Sequence, residues 1–378
     1  MIMKKLEINK FDSIEVNIIR KLDREFIKEW SILVNQTENA HFFNTPAWFV
    51  SCLDAYNIYE YFIFAAYKGY VLVGVLPLVK EKKFGMDVYT TPGKRYLEKS
   101  SILVKSNSPY ILNKLISEVL EYGNIYLTEV SEEIAESLSI NKKKGLLTLS
   151  SINPYIRLNE NPLGTLADKQ IKRIKGKINN NFENLRFGHF RNNLGTHLQS
   201  VFELEGRSSK KLAGKDSFAD LKIRELFISL INYAKGFVVI DFVYHKSSPI
   251  VSSFGFVFKD RYLAYHTSFD NNFRSFIPGK LITFNMLTKL YEEGFSLFDF
   301  SRGHNEFKND FTKNYVFQYD FYYSKNPLIR IWWESIHLAR RLKARLIKNK
   351  RSLDGEYLFR RYKNSPIALD KMKDYALR

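Results

Sequence analysis

The sequence predicts a layered α/β (α+β) fold, written twice along the chain, and three observations lead there. Residues 109–122, PYILNKLISEVLEY, and 278–293, PGKLITFNMLTKLYEE, each space apolar residues helically, open on a proline, stop at a glycine and run on into an apolar strand. A strand, a short turn and a second strand precede each of them. The 378 residues are 45% hydrophobic and 26% charged, with 31 Phe and 23 Tyr, enough bulky material for two moderate cores.

Taken in order, the first segment, MIMKKLEINKFDSIEV, has no apolar stretch of signal-peptide length. VLVGVLPLV is far short of the roughly 20 residues that span a bilayer. A cytoplasmic protein is expected, peripheral at most to the inner membrane face. Cys52 is the single cysteine, which excludes an internal disulfide framework and any multi-cysteine zinc site, and its apolar helical neighbours read it as a core residue. EYFIFAAYKGYVLVGVLPLV reads as a hairpin turning at Lys68 and Gly69. In the first helix Ile111, Leu112, Leu115, Ile116, Val119 and Leu120 form one stripe between Ser108 and Pro109 at the start and Gly123 at the end. NIYLTEV follows as a strand.

Residues 160–216 are polar and basic and are expected to hold a helix and a connection, with GRSSKKLAGKDSF as a loop. FVVIDFVYH then begins a meander whose hairpin turns at Lys259 and Asp260, and the helix from Pro278 turns Leu281, Phe284, Leu287 and Leu290 or Tyr291 to one side before Gly294. That crossing sets the last meander strand parallel to FSLFDF, and YVFQYDFYY makes a late strand. The expected organisation is an N-terminal half (1–155), a basic helical connecting region (156–216), a C-terminal half (217–326) and a basic amphipathic tail (327–378).

The formal charge of +18 suits a polyanionic partner: nucleic acid, anionic lipid or a phosphorylated cofactor. The excess gathers at 168–177 and 339–351. Neither stretch sits in a helix-turn-helix, zinc finger or RNA-binding sheet motif, so DNA is not an expected partner. The tail's apolar residues, among them Ile331, Trp332 and Leu338, interleave with basic ones and suit either a cap on the domain or an anionic membrane face.

Chemistry gathers in the second half. Pro278, Gly279 and Lys280 open a helix whose first N–H groups could meet an anion. No P-loop and no dinucleotide-binding glycine fingerprint occurs, and no histidine stands in a metal-binding spacing, so no metal is expected. Tyr265, His266 and Asp270 precede that helix and could face a ligand at its start. Alternation in FSLFDFSRGHNEFK puts Asp299 with Phe295 and Leu297 on a core face, where it needs a partner, and Arg302 is nearest in sequence. Gly303 permits a sharp turn. Glu306, His304 and His266 are candidate bases, and Lys308 a candidate anion or carbonyl contact.

Residues 237–311 resemble the GNAT-like acyltransferase domain of the CelD type, associated with bacterial cellulose and exopolysaccharide synthesis and distantly similar to Fem peptidyltransferases. The matching positions are Tyr265, Asp270, Pro278, Gly279, Gly294, Asp299, Arg302, Gly303, Glu306, Phe307 and Lys308. FFNTPAWFVSCLDAY and GVLPLV extend the likeness over about residues 40–325; SKKLAGK stands where the family often has a Trp-Lys-Gly stretch. The resemblance implies tandem GNAT-like halves with mixed central sheets, the second holding the active cleft. It implies acyl-CoA, acetyl-CoA included, as co-substrate, its pyrophosphate at Pro278, Gly279 and Lys280 and contacts from Tyr265 and Asp270. Asp299, Arg302 and Gly303 would hold the shape of the site, and Glu306, Lys308, His304 and His266 would lie at the chemistry. The acceptor would be a small-molecule or lipid-linked sugar of the cell envelope, or a related amine. Two rivals stand beside it: a Fem-like transferase using aminoacyl-tRNA, and a non-catalytic membrane-peripheral scaffold in exopolysaccharide assembly.

Overall fold

The computed structural model describes residues 13–346 apart from 84, 94, 95, 141–144, 161, 164, 165, 181–183, 215 and 304, and omits the side chains of 139, 140 and 340–346. The chain forms two compact units, residues 1–49 with 58–152 and 317–378, and residues 50–57 with 153–316.

In the first unit, β1 (Ile14–Ile19), β2 (Tyr61–Lys68), β3 (Val71–Lys83) and β4 (Met86–Thr90) pair antiparallel in sequence order, with the short β5 (Leu103–Val104) also on β3. β6 (Asn124–Ser131) lies parallel to β4 through Val88 and Tyr89. Before the hairpin come α1 (Arg24–Gln36) and α2 (Pro46–Tyr56); residues 50–56 of α2 belong to the second unit, and Cys52 among them is fully buried, its thiol pushed up by that burial. The stripe of α3 (Pro109–Tyr122) is the predicted one: Ile111, Leu112, Leu115, Ile116, Val119 and Leu120 all enter the core against Phe62, Phe64, Leu76 and Leu78. α4 (Glu132–Ile140) adds Ile134, Ala135 and Leu138.

A strand from the far end of the chain finishes this sheet, β13 (Tyr315–Tyr323), which runs antiparallel to β6 with Tyr319 opposite Val130. The register slips there, so Thr128 and Glu129 together oppose Asp320, and Glu129 takes a left-handed backbone, φ 54°. The bulge gathers buried polar groups. The Glu129 N–H donates to Asp320 Oδ1 at 3.3 Å, the Tyr126 hydroxyl to Asp320 Oδ2 at 3.0 Å, and the Ser150 hydroxyl to Glu129 Oε1 at 2.8 Å. Burial, then the Glu129 charge, push the Asp320 carboxyl up to about 6 against the pull of its hydrogen bonds. α11 (Pro327–Leu346) closes the unit, with Trp333 buried beside Tyr322, Val88 and Tyr126.

The chain enters the second unit within β7 (Leu146–Arg157). The stretch 156–216 supplies that unit with α5 (Asp168–Asn179), β8 (Leu185–Phe190), α6 (Leu194–Gly206) and the single-turn α7 (Ser209–Leu212). After α8 (Leu221–Tyr233) come β9 (Val238–His245), β10 (Ser248–Phe258) and β11 (Arg261–Phe269), an antiparallel meander with β8 on its far edge. α9 (Pro278–Glu292) then crosses to β12 (Leu297–Asp299), which pairs parallel with β11 on one side and antiparallel with residues 155–157 of β7 on the other. α10 (Glu306–Phe311) follows.

α9 buries Leu281, Ile282, Met286, Leu287 and Leu290, while Phe284 is half-buried and Tyr291 half-exposed, a stripe turned slightly from the predicted one. The strand after it is three residues long, and its core face carries Phe298, followed just past the strand by Phe300. Asp299 therefore points away from α9, on the side of its cross-strand partner Tyr155, a correction to the expected face; it is nonetheless buried.

Candidate functional site

β11 and β12 stay paired only from Arg261 to Leu263, and then the two parallel strands part. Just beyond, β11 carries one extra residue: Ala264 opposes Gly255 and His266 opposes Phe254, leaving Tyr265 as a bulge. Its ring lies near those of Phe227, Phe254 and Phe256. The Ser301 hydroxyl donates to the Ala264 carbonyl at the fork.

Downstream of the bulge, His266 and Ser268 face the helical layer of α6, α7 and α8, and there they meet Glu205. The apolar stripe of α6 runs Leu194, Leu198, Val201, Leu204, and Glu205 falls on its last turn, fully buried. A carboxylate in that place needs partners, and it has four. Ser268 donates its hydroxyl, the Ser217 N–H donates at 3.4 Å, Lys210 Nζ lies at 3.5 Å and His266 Nε2 at 3.6 Å. Lys210 also donates to the Thr267 carbonyl at 2.9 Å, placed there by α7, whose cap Ser208 accepts from the Lys211 N–H.

The hydrogen-bond pattern assigns the histidine tautomer. Ser268 gives its one proton to Glu205, so its oxygen accepts from His266 Nε2 at 3.0 Å, and Nδ1 is left as the basic nitrogen. Burial and then Lys210 lower the His266 pKa, with Glu205 opposing them. Burial acts to raise the Glu205 carboxyl, but His266, Lys210 and Ser268 together hold it down at about 2. The outcome is a neutral imidazole beside a fixed negative charge. Ser252, opposite Ser268 on β10, is fully buried and its hydroxyl has no hydrogen-bond partner among the described residues. Sequence reasoning found His266 but missed Glu205, Lys210, Ser252 and Ser268; the legible signal was a carboxylate on an apolar helical stripe.

Asp270, also buried, follows β11 directly. Its Oδ1 accepts from the Asn272 N–H at 2.9 Å, its Oδ2 lies 3.4 Å from Arg207 Nε, and the Asn271 N–H donates to the Arg207 carbonyl. The loop after β11 is thus tied to the end of α6.

The other predicted residues form a separate knot. Asp299 Oδ1 accepts from the Ser301 N–H at 2.8 Å, and Ser301 and Gly303 both take positive φ. Lys308 Nζ donates to the carbonyls of Ser301 at 3.1 Å and Arg302 at 2.9 Å, stitching the turn. Glu306 is exposed in the first turn of α10, and His304 lies outside the described residues. At the start of α9, Pro278 is buried and has no N–H, and Lys280 and Leu281 both donate to the Ile277 carbonyl. At Gly279 the Phe307 ring stands 3.4 Å from where a β-carbon would be. Lys280 Nζ is 2.7 Å from Asp310, which also accepts from Gln170. A lysine already ion-paired fits a pyrophosphate poorly. Among the described residues no group of three or more His, Cys, Asp or Glu could hold a metal ion.

Residues 168–309 match the family model described as acetyltransferase (GNAT) domain. The chain carries a GNAT fold. Solved structures of low sequence identity share the fold. FemX aligns at TM-score 0.60 with 10% identity, covering 83% of this chain and 99% of that one. A conserved protein of unknown function from Bacteroides thetaiotaomicron aligns at 0.55 with 12% identity, covering 82% and 99%. The C-terminal domain of a putative lysylphosphatidylglycerol synthetase from Agrobacterium fabrum aligns at 0.55 with 9% identity, covering 81% and 93%. No curated protein sequence matches the chain.

Proposed function

We propose that the protein is an acyltransferase that moves an activated acyl group to an amine or hydroxyl, with its reaction centre at the fork between β11 and β12. One observation carries the reading: inside a GNAT domain, the strand that bulges at Tyr265 delivers a buried, neutral His266 onto the ionised Glu205. His266 Nδ1 takes the proton that the acceptor loses as its nitrogen or oxygen bonds to the acyl carbon, and Glu205 stabilises the imidazolium that results. As the bond from that carbon to the donor's sulfur or oxygen breaks, the imidazolium returns the proton to the departing thiolate or alkoxide. Lys210 keeps the Glu205 carboxylate charged throughout, so that the pair is poised before substrate arrives. Glu306, being exposed, and Lys308, held by two carbonyls, serve the turn.

The GNAT domain match makes an acyl-CoA the first donor to test. The acceptor we infer is an envelope polysaccharide precursor or a related lipid-linked or amine compound, supported by the CelD-type resemblance. A second donor reading, aminoacyl-tRNA, is favoured by the ion pair with Asp310 that already engages Lys280 at the start of α9, by the net charge of +18 and by the likeness to FemX.

Calorimetry of the full chain with CoA, acetyl-CoA and longer acyl-CoAs, repeated with Lys280→Ala, separates the donors. Saturable binding weakened by the substitution supports acyl-CoA at α9. No heat at millimolar ligand removes that donor, and binding of charged tRNA together with ribonuclease-sensitive transfer would then identify the other. If neither donor binds, the acyltransferase reading falls.

A further inference from the structure

We propose that the exposed face of α11 docks in the plane of an anionic lipid bilayer. The helix has two unlike apolar sides. One is seated in the first unit through Trp333, whose ring lies 5.2 Å from that of Tyr322. On the other side Leu328, Ile331, Trp332 and Leu338 are each more than half exposed, and Ser335 and Ala339, also exposed, fall between them. Steps of three and four residues put all six on one stripe along three turns. An apolar stripe of this length on the outside of a helix calls for an occupant.

Charge selects it. The sequence ARRLKARLIKNKR at 339–351 holds seven Lys and Arg and no acidic residue, within a chain of net charge +18. A second copy would bring the same cationic run to the same contact, whereas anionic headgroups neutralise it while acyl chains take the stripe. Trp332 lies within the stripe, and tryptophan favours the boundary between headgroup and hydrocarbon. No helix among the described residues is long and apolar enough to cross a membrane, so the contact lies in the interfacial plane.

The four tryptophans make the test direct. Trp30, Trp48 and Trp333 are buried to 1% exposure or less, and Trp332 is 54% exposed, so changes in emission on docking report that residue. Full-length protein is mixed with vesicles of phosphatidylglycerol and phosphatidylcholine, or of phosphatidylcholine alone, at low and high salt. The expected result is a blue-shifted, acrylamide-protected emission and co-sedimentation with the anionic vesicles, weakened by salt. The double variant Trp332→Ser with Leu338→Ser should lose roughly tenfold or more in partitioning. Arg330→Glu, which leaves the stripe intact, should lose severalfold, about the effect of altering charge near the surface. Tyr70→Ser, at an exposed turn, should bind as the unaltered protein does, and thermal melts confirm that each variant folds. Equal binding to both vesicle types, unchanged emission, or full binding by the double variant overturns the proposal. So does sedimentation equilibrium showing a self-associated protein that the double variant dissociates, which would assign the stripe to an interface between copies.

Discussion

The Tyr262 ring passes so close over Gly255 that its Cζ stands 2.5 Å from where a β-carbon on that glycine would be. The Leu263 carbonyl oxygen would be 2.7 Å from the same carbon. This approach lets the buried tyrosine donate its hydroxyl to Asp241 at 3.1 Å, and Asp241 in turn meets His189 Nδ1 at 2.7 Å. A methyl at 255 must displace either the ring or backbone. Gly255→Ala should therefore destabilise the second unit by about 1–3 kcal/mol, outweighing the roughly 0.5–1 kcal/mol that alanine otherwise gains over glycine in a strand. Urea unfolding measures it; an unchanged or raised midpoint contradicts the contact.

The His266 and Glu205 pair predicts the shape of a pH profile. His266 has a lowered pKa, so it stays neutral to more acid pH than a free imidazole, and the acid limb of the rate profile should lie below the ordinary value of about 6.5. Glu205→Gln removes the charge that opposes this lowering. Its acid limb should move to still lower pH while the plateau rate falls on the order of tenfold to a hundredfold. A plateau loss with no movement of the limb would mean that Glu205 serves folding alone.

Stability should respond to acid through the same carboxylate. Its folded pKa of about 2 lies below the ordinary glutamate value of about 4.3, so its contribution is complete above that value and is lost as pH falls toward 2, up to about 3 kcal/mol. Lowered His266 acts in the same direction as pH drops below its unfolded value. Denaturant titrations of Glu205→Gln at pH 6 and 3 (roughly the two ends of the window) should show a flatter response than the parent.

Asp320 in the first unit reverses that sign. Its folded pKa of about 6 lies above the ordinary aspartate value of about 3.9, so the unit is stabilised while the acid stays protonated and loses about 3 kcal/mol as pH rises through 6. Asp320→Asn should flatten the loss. Hydrogen exchange of β6 amides at about pH 5 and 8 reads the effect locally; an equally steep loss in the variant would place its origin in another group.

Lys308 and Lys280 should behave differently when truncated. Lys308→Met removes the donor to two turn carbonyls and should cost about 1–2 kcal/mol, with faster proteolysis across residues 301–305. Lys280→Ala breaks a partly exposed ion pair with Asp310 and should change stability by less than about 1 kcal/mol. That small cost makes it a clean probe of donor binding.

What was legible in the sequence was local. Proline starts, glycine stops and apolar spacing located α3 and α9, and the turns at Gly69 and at Lys259 and Asp260 located both hairpins. These signals work because a helix or a tight turn is decided by residues a few positions apart. Partners brought together by tertiary structure left no such trace. Lys280 meets Asp310 thirty residues on, and Glu205 meets Ser268 across the layer between α6 and β11. The face of Asp299 was misread for a related reason: alternation gives two sides of a strand but does not say which one α9 will cover. The bulge at Tyr265, which turns its ring into an aromatic cluster, is set by register with β10 and not by composition.

β13 carries a consequence for how the protein is made. With Tyr319 opposite Val130, β6 waits on the ribosome for a neighbour synthesised nearly two hundred residues later. Until then β6 is an open edge in a nascent chain, able to pair wrongly or with another chain. A polypeptide truncated just before 317 would keep that edge exposed for good, and completing the amino-terminal fold must await translation of its carboxyl-terminal strand.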